Sequence, residues 1–322
     1  MHSAIAVIRE SQRPKPASHP WIRVLKIAGA SVTLLTVGVF VDLALLVCFP
    51  LRFISASAVH HVSGYATHFA WSFCQYMFED QDNSFLTVSG LESIVEGESA
   101  YVISNHVFFG DFYMIHALAR RRNMMSSCRY FLKDSIKYIP IFGWGMYCCN
   151  FPFLKRNWQR DSNNIRQSLD ALISNRLKVW LVSFLEGHRF DARKYEESQV
   201  YAKNSNLPML QHLLLPRPKG FIATIHALRQ SHVKYVYNVT LGYYHSQRGF
   251  GNCPSLWDIL LGRLDEFRFH AHIDKLPIVE IPASEEGATR WLYDTWSEKD
   301  KLLVQMKAAF ESSKESSSKK ST

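Results

Sequence analysis

The sequence lacks the features that mark several common protein classes. Its six cysteines include no C-x-x-C pair and no framework of regular spacings, which argues against a zinc site and against a disulfide-stapled fold. Cys148 and Cys149 are adjacent, a placement that suits packing thiols better than a bridge. No segment repeats at a solenoid period. The Arg120–Arg121–Arg122 run has no recognisable nucleic-acid module around it, so a nucleic-acid partner is not expected. Acidic residues are in deficit, 28 against 37 Lys and Arg, for a formal net charge of +9. That balance favours an anionic partner such as a membrane surface or a phosphate-bearing substrate. No long apolar run follows residue 85.

One such run lies earlier. Ile27–Phe49 is apolar apart from Asp42 and a few hydroxyl residues. It exceeds the roughly 20 residues needed to cross a bilayer as a helix, and it starts too late for a secretory signal. Arg9, Arg13, Lys15, Arg23 and Lys26 precede it, and Arg52 alone follows closely, which places the N-terminus on the cytosolic side. Phe53–Phe78 is aromatic, weakly apolar and carries His60, His61 and His68. It can be a returning helix, an interfacial helix or a linker. The domains expected are a basic arm over 1–26, a membrane-anchoring helical segment over 27–80, a folded domain over 84–311 and a disordered Ser/Lys tail over 312–322. The tail ends Lys319–Lys320–Ser321–Thr322, the arrangement of a dilysine signal for the endoplasmic reticulum.

From residue 84 onward short β-like runs alternate with helical stretches. Strands are expected over 85–90, 100–104, 179–184, 212–216, 233–244 and 267–273, and helices near 112–122, 161–175, 219–230 and 285–311. Their β-branched and aromatic content and terminating Gly or Pro support the strands. Such alternation predicts an α/β domain with a largely buried sheet, and the fold expected is a mixed sheet flanked by helices. The sequon Asn238-Val239-Thr240 falls inside one of these strands.

Four blocks could carry chemistry. In "SNHVFFGD" (104–111) His106 follows a strand and Asp111 stands five residues later. On one continuous helix those two side chains would diverge, so they meet only across a turn, for which Gly110 is well placed. A carboxylate on one ring nitrogen leaves the other as a base; an aspartate at a helix N-terminus is the plain alternative. "FGWGMYCCNFPFLKRNW" (142–158) runs from aromatic residues into Lys155–Arg156, an apolar wall ending in a phosphate-binding fork or a solvated strand end. "FLEGHRF" (184–190) puts Glu186, Gly187 and Arg189 at a strand-to-loop turn, as an ion pair or a polar substrate site. "LLLPRPKGF" (213–221) is a loop stiffened by Pro216 and Pro218 with Arg217 and Lys219 beside a helix start, suited to an anion or to a plain surface turn.

In this order the four blocks resemble the glycerophospholipid acyltransferase family, over roughly residues 85–245. The 131–158 and 213–221 stretches look most like its lysocardiolipin and lysophosphatidylinositol acyltransferase branch. The sequence departs from the family pattern at Leu185, usually Pro, at His188, usually Thr, and at Phe112, commonly Trp. The resemblance implies acyl transfer from acyl-CoA, a co-substrate, to the free hydroxyl of a lysophospholipid at a bilayer, with no cofactor or metal. It assigns His106 as base and Asp111 as its holder. Arg156 and Arg189 would bind the acceptor phosphate, and Glu186 and Gly187 would shape that site. Pro216 would border the acyl-CoA channel. A catalytically inactive lipid-binding protein of the same fold is the alternative.

Overall fold

The computed structural model describes residues 20–50, 54–81, 86–155, 165–166, 169–170, 172–261 and 263–318. Helix α1 (Pro20–Cys48) contains the stretch Ala28–Cys48, long and apolar enough to cross a membrane and only 6% buried. Helix α2 (Ala56–Gln75) starts at Ser55, whose hydroxyl caps the Ala58 amide, and packs along α1. It also joins the folded domain, because Trp71 lies against His116 with centroids 4.7 Å apart. The described part of the 53–78 stretch is therefore mainly a helix, and it ties the apolar segment to the sheet.

The folded domain follows in chain order. Strands β1 (Leu86–Ser89) and β2 (Ala100–Ser104) lead to helix α3 (Asp111–Arg120), then β3 (Cys128–Tyr130) and β4 (Leu132–Lys133). Short helix α4 (Phe142–Cys148) precedes β5 (Phe153–Leu154) and β6 (Trp180–Phe184). Helices α5 (Ala192–Asn204) and α6 (Pro218–Leu228) come next, then β7 (Tyr235–His245) and β8 (Gly249–Phe250). Helix α7 (Leu256–Leu260), strand β9 (Phe267–Pro277) and helix α8 (Glu285–Ser318) complete it. The main sheet runs β1-β9-β7-β2-β6-β3, with β8 beside β7; β4 and β5 pair separately. Strand β2 is parallel to both β6 and β7, whereas β7 and β9 are antiparallel. The sheet is thus mixed, with helices on both faces, in keeping with the expected α/β fold.

Its two faces bury two apolar clusters. Val102, Trp180 and Val182 point toward α3, whose Met114, Ile115 and Leu118 are fully buried. Tyr101, Ile103 and Leu181 point the other way, toward Phe221 and Ile225 of α6 and Trp296 and Leu303 of α8. The connection after β2 crosses one face and the connection after β6 crosses the other. A crevice opens where neighbouring parallel strands diverge in this way, at their carboxyl ends.

Three expectations differ from the fold. Residues 212–216 form no strand. Side chains take their amides: Gln211 and His212 each donate to the Asp300 carboxylate at 2.8 Å, and Leu215 donates to Ser198 Oγ at 2.9 Å. Helix α5, capped by Asp191 on the Lys194 amide, lies where no helix was expected, because its mostly polar surface gives little periodic signal. Helix α8 runs on to Ser318 instead of ending near 311. Arg156, the dilysine pair and residues 1–19 of the basic arm lie outside the described residues, while 20–26 form the start of α1. Asn238 sits within β7 and is 5% exposed, its amide donating to Asp274.

Two buried histidines make the fold acid-sensitive. His270 sits between Thr87 and Ser89 hydroxyls at 2.7 and 3.0 Å, and neither ring nitrogen of His116 has a hydrogen-bond partner. Burial lowers each to about 3 from 6.5. Both rings stay neutral in the fold and ionise in the unfolded chain. Stability is therefore full above pH 6.5 and falls as pH drops toward 3, by about 1.4 kcal/mol per pH unit for each histidine. His116→Phe should raise the melting midpoint, since it removes two unpaired polar atoms, and should flatten the acid side of the stability–pH curve. A variant as acid-sensitive as the parent would contradict this account.

Candidate active site

The crevice holds the first block. As β2 ends, its neighbour β7 continues, and Asn105 bridges the gap. Its side-chain amide donates to the Leu241 carbonyl at 3.0 Å and accepts from the Leu241 N–H at 2.8 Å. The chain then turns through 105–110 and enters α3 at Asp111. Gly110 serves that turn: a Cβ there would stand 2.5 Å from the Phe108 ring.

The turn brings His106 Nδ1 within 2.7 Å of Asp111 Oδ2. The carboxylate is fully buried, while the imidazole remains 20% exposed. Asp111 also accepts from the Val107 amide at 2.7 Å, the Phe108 amide at 3.3 Å and the Tyr243 hydroxyl at 2.6 Å. Asp111 stands in the first turn of α3, where a negative charge is favourable, and its bonds hold the histidine ring and two amides of the preceding turn. A carboxylate is acceptor-only, so Nδ1 carries the proton and Nε2 is left with its lone pair. Burial and the nearby Asp111 charge push the Tyr243 hydroxyl well above 10, which keeps it a neutral donor. The imidazole stacks on Phe184 with centroids 4.4 Å apart.

The third block wraps the first. The Phe190 amide donates to the His106 carbonyl at 2.8 Å, and the His106 amide lies 3.4 Å from Glu186 Oε1. Glu186 is turned inward and 3% exposed, with its other oxygen 3.4 Å from the Leu214 amide. Its described partners are backbone amides, not Arg189. Burial drives its carboxyl well above the usual range, and those amides and the Lys299 charge oppose the rise. Lys299 of α8 is 2% exposed; burial lowers it to about 7, and its ammonium donates to the Val239 carbonyl.

The fourth block closes on the third. The Arg217 amide donates to the Leu185 carbonyl at 2.8 Å. Gly187 has φ +72°, and a Cβ there would meet Arg217 Nε at 3.0 Å, so glycine lets the guanidinium lie over the turn. Arg189 and Arg217 are both exposed. Pro216 is buried behind them. The result is a carboxylate-held histidine in a crevice with two guanidinium-bearing residues on adjacent turns. Among the described residues no group of three or more His, Cys, Asp or Glu is placed to hold a metal.

Residues 85–237 match the family model "Acyltransferase", and residues 258–320 match "Acyltransferase C-terminus". The chain belongs to the glycerophospholipid acyltransferase family. It is 31% identical over 228 residues to a probable 1-acyl-sn-glycerol-3-phosphate acyltransferase 5 of Arabidopsis thaliana, covering 71% of this chain and 58% of that protein. It is 34% identical over 205 residues to the human 1-acyl-sn-glycerol-3-phosphate acyltransferase gamma, covering 64% and 52% respectively. The chain therefore spans about half to three-fifths of the length of these relatives. A crystal structure of a 1-acyl-sn-glycerophosphate acyltransferase from Thermotoga maritima aligns with 82% of this chain and 95% of its own, at TM-score 0.46 and 14% identity.

Against the sequence of this acyltransferase-family chain, the structure brings His106, Asp111, Glu186, Gly187, Arg189 and Pro216 into one region; Arg156 lies outside the described residues. Sequence reasoning missed Tyr243, Phe184 and Asn105 as parts of the site. Asn105 had a signal, its place between the strand and the histidine. Tyr243 had none, standing far along the chain among other buried tyrosines.

Tyr243→Phe keeps the ring and removes one donor to Asp111. It should lower kcat about tenfold while leaving KM within about twofold, as expected for losing one hydrogen bond to a charged group. Steady-state kinetics on membranes checks it, and an unchanged kcat would show that Asp111 needs no such support.

Proposed function

We propose that this chain transfers an acyl group from acyl-CoA to the free hydroxyl of a lysophospholipid of the lysophosphatidic acid, lysophosphatidylinositol or lysocardiolipin type. The observation that carries the reading is the His106–Asp111 pair, closed at 2.7 Å across a turn on an imidazole that stays 20% exposed. The names of the relatives support a glycerophospholipid acceptor.

Nε2 accepts the proton of the acceptor hydroxyl as its oxygen attacks the thioester carbonyl carbon. The tetrahedral intermediate collapses with cleavage of the C–S bond. The CoA sulfur leaves with the proton returned from the imidazolium, and the new ester remains on the glycerol. Asp111 stabilises that imidazolium. A ring that passes a proton both ways needs no side-chain nucleophile.

Arg189, with Arg217 beside it, offers planar forks for the acceptor phosphate, and Arg156 is assigned the same role from the family pattern. Glu186 links the His106 amide to the Leu214 amide, and so ties the base to the Pro216 loop that borders the acyl-CoA. The exposed apolar face of α1 supports placement of the enzyme in a bilayer, and the endoplasmic reticulum is the membrane we propose. Both substrates partition there.

Membranes bearing the protein should release CoA when given acyl-CoA and one of a panel of lysophospholipids. His106→Ala should lower that rate about 10²- to 10⁴-fold, the usual contribution of a positioned general base, with expression unchanged. Arg189→Ala should act mainly by raising the acceptor KM. Full activity of His106→Ala would remove the base, and no release with any acceptor would favour the inactive lipid-binding reading.

A further inference from the structure

The second sequence block, 142–158, carries a surface with no part in the acyl transfer. A helix lying on a folded domain ordinarily buries its large apolar side chains, and α4 does the reverse. Its buried residues are Gly143 and Gly145. A Cβ at Gly143 would run into the Ile136 carbonyl, and one at Gly145 would stand 2.7 Å from Asp42 Oδ1 of α1. The two glycines let the helix backbone lie close against its neighbours while its rings face outward. Phe142, Trp144 and Tyr147 are exposed, as are Tyr138 and Ile139 just before the helix, all between 40% and 70%. Contiguous exposed apolar surface of this kind marks a contact with lipid or with another protein.

The backbone is bent to keep this arrangement. Ile141 occupies a γ-turn, with φ +67°, ψ −70° and the Phe142 amide donating to the Pro140 carbonyl at 2.8 Å. Such a turn is rare and strained, most of all for a β-branched residue. It sends the Ile141 side chain inward onto Gly38 of α1, where a Cβ would not fit. The contacts at Gly38 and Asp42 set α4 beside the C-terminal half of the apolar stretch Ala28–Cys48. The rings of α4 and the exposed Val39 and Leu43 of α1 thus belong to neighbouring elements at one level. Charge fits a lipid surface as well. Exposed Lys133 and Lys155 bracket the segment, and Asp134, the single acid between them, pairs with Lys137 at 2.7 Å.

Tryptophan and tyrosine suit the bilayer interface because each has an apolar body and a polar tip. We propose that residues 138–147 form a second bilayer contact, with Tyr138, Trp144 and Tyr147 among the lipid headgroups beside α1. This contact rests on the bilayer placement of α1 proposed above.

The test uses the full chain in phosphatidylcholine vesicles that contain brominated lipid, bromine being a short-range quencher of indole fluorescence. The chain has eight tryptophans, so the share of Trp144 is the difference between the parent and Trp144→Phe. Trp144→Tyr gives the same difference independently. Bromines near the ester end of the acyl chain should quench that share at least about twofold more than bromines near the chain end, as expected of an indole at headgroup level. Aqueous iodide should quench it less than it quenches free tryptophan. Iodide quenching without bromine quenching, in a chain that stays with the vesicles, would overturn the contact and leave the placement of α1 intact. Quenching strongest from the chain end would overturn the headgroup depth. Protection from both quenchers would put a protein surface, such as a second copy, over the rings and overturn the lipid assignment. A chain that washes off the vesicles would overturn the placement of α1 and this contact with it.

Discussion

The structure turns on one buried carboxylate. Asp111 is shut away from water, and a carboxylate there persists only if its lone pairs are filled. Four donors from three places fill them: the His106 ring, the Val107 and Phe108 amides, and the Tyr243 hydroxyl. The same bonds fix the turn between β2 and α3, tie that turn to β7 and set the tautomer of the histidine. Moving any one donor would disturb the others, so the geometry of the His106 ring is over-determined.

The device recurs around the crevice. Glu186 gathers the His106 and Leu214 amides, and Asp300 gathers those of Gln211 and His212. Each carboxylate substitutes for the strand pairing that an irregular loop lacks. Asp300 stands on α8, so the C-terminal region holds the start of the Pro216 loop at a distance of one side chain. The exposed arginines are left as the adaptable part, carried on loops whose backbones are pinned from beneath.

Much of this was legible in the sequence. The strand "AYVIS" is legible with its observed bounds, and helix geometry shows that His106 and Asp111 can meet only across a turn, which Gly110 is placed to allow. "HLLLP" was read as a strand because short apolar runs look alike whether their amides meet a neighbouring strand or a carboxylate. Nothing local reveals that Asp300, far along the chain, takes them. Tyr243 was invisible for the same reason, since its value lies in the overhang of β7 past the end of β2. Helix α5 escaped because a solvated helix has no apolar stripe. Local chemistry shows in sequence, and long-range hydrogen bonds do not.

The central claim is that Asp111 holds His106 with its proton on Nδ1 and Nε2 free to accept one. The most direct measurement is the ¹⁵N chemical shifts of the His106 ring in the folded protein, assigned by comparison with His106→Ala. The account predicts, above the pH at which the ring ionises, a protonated Nδ1 and an unprotonated Nε2, with that preference lost in Asp111→Ala. A neutral ring with its proton on Nε2 in the parent protein would contradict it.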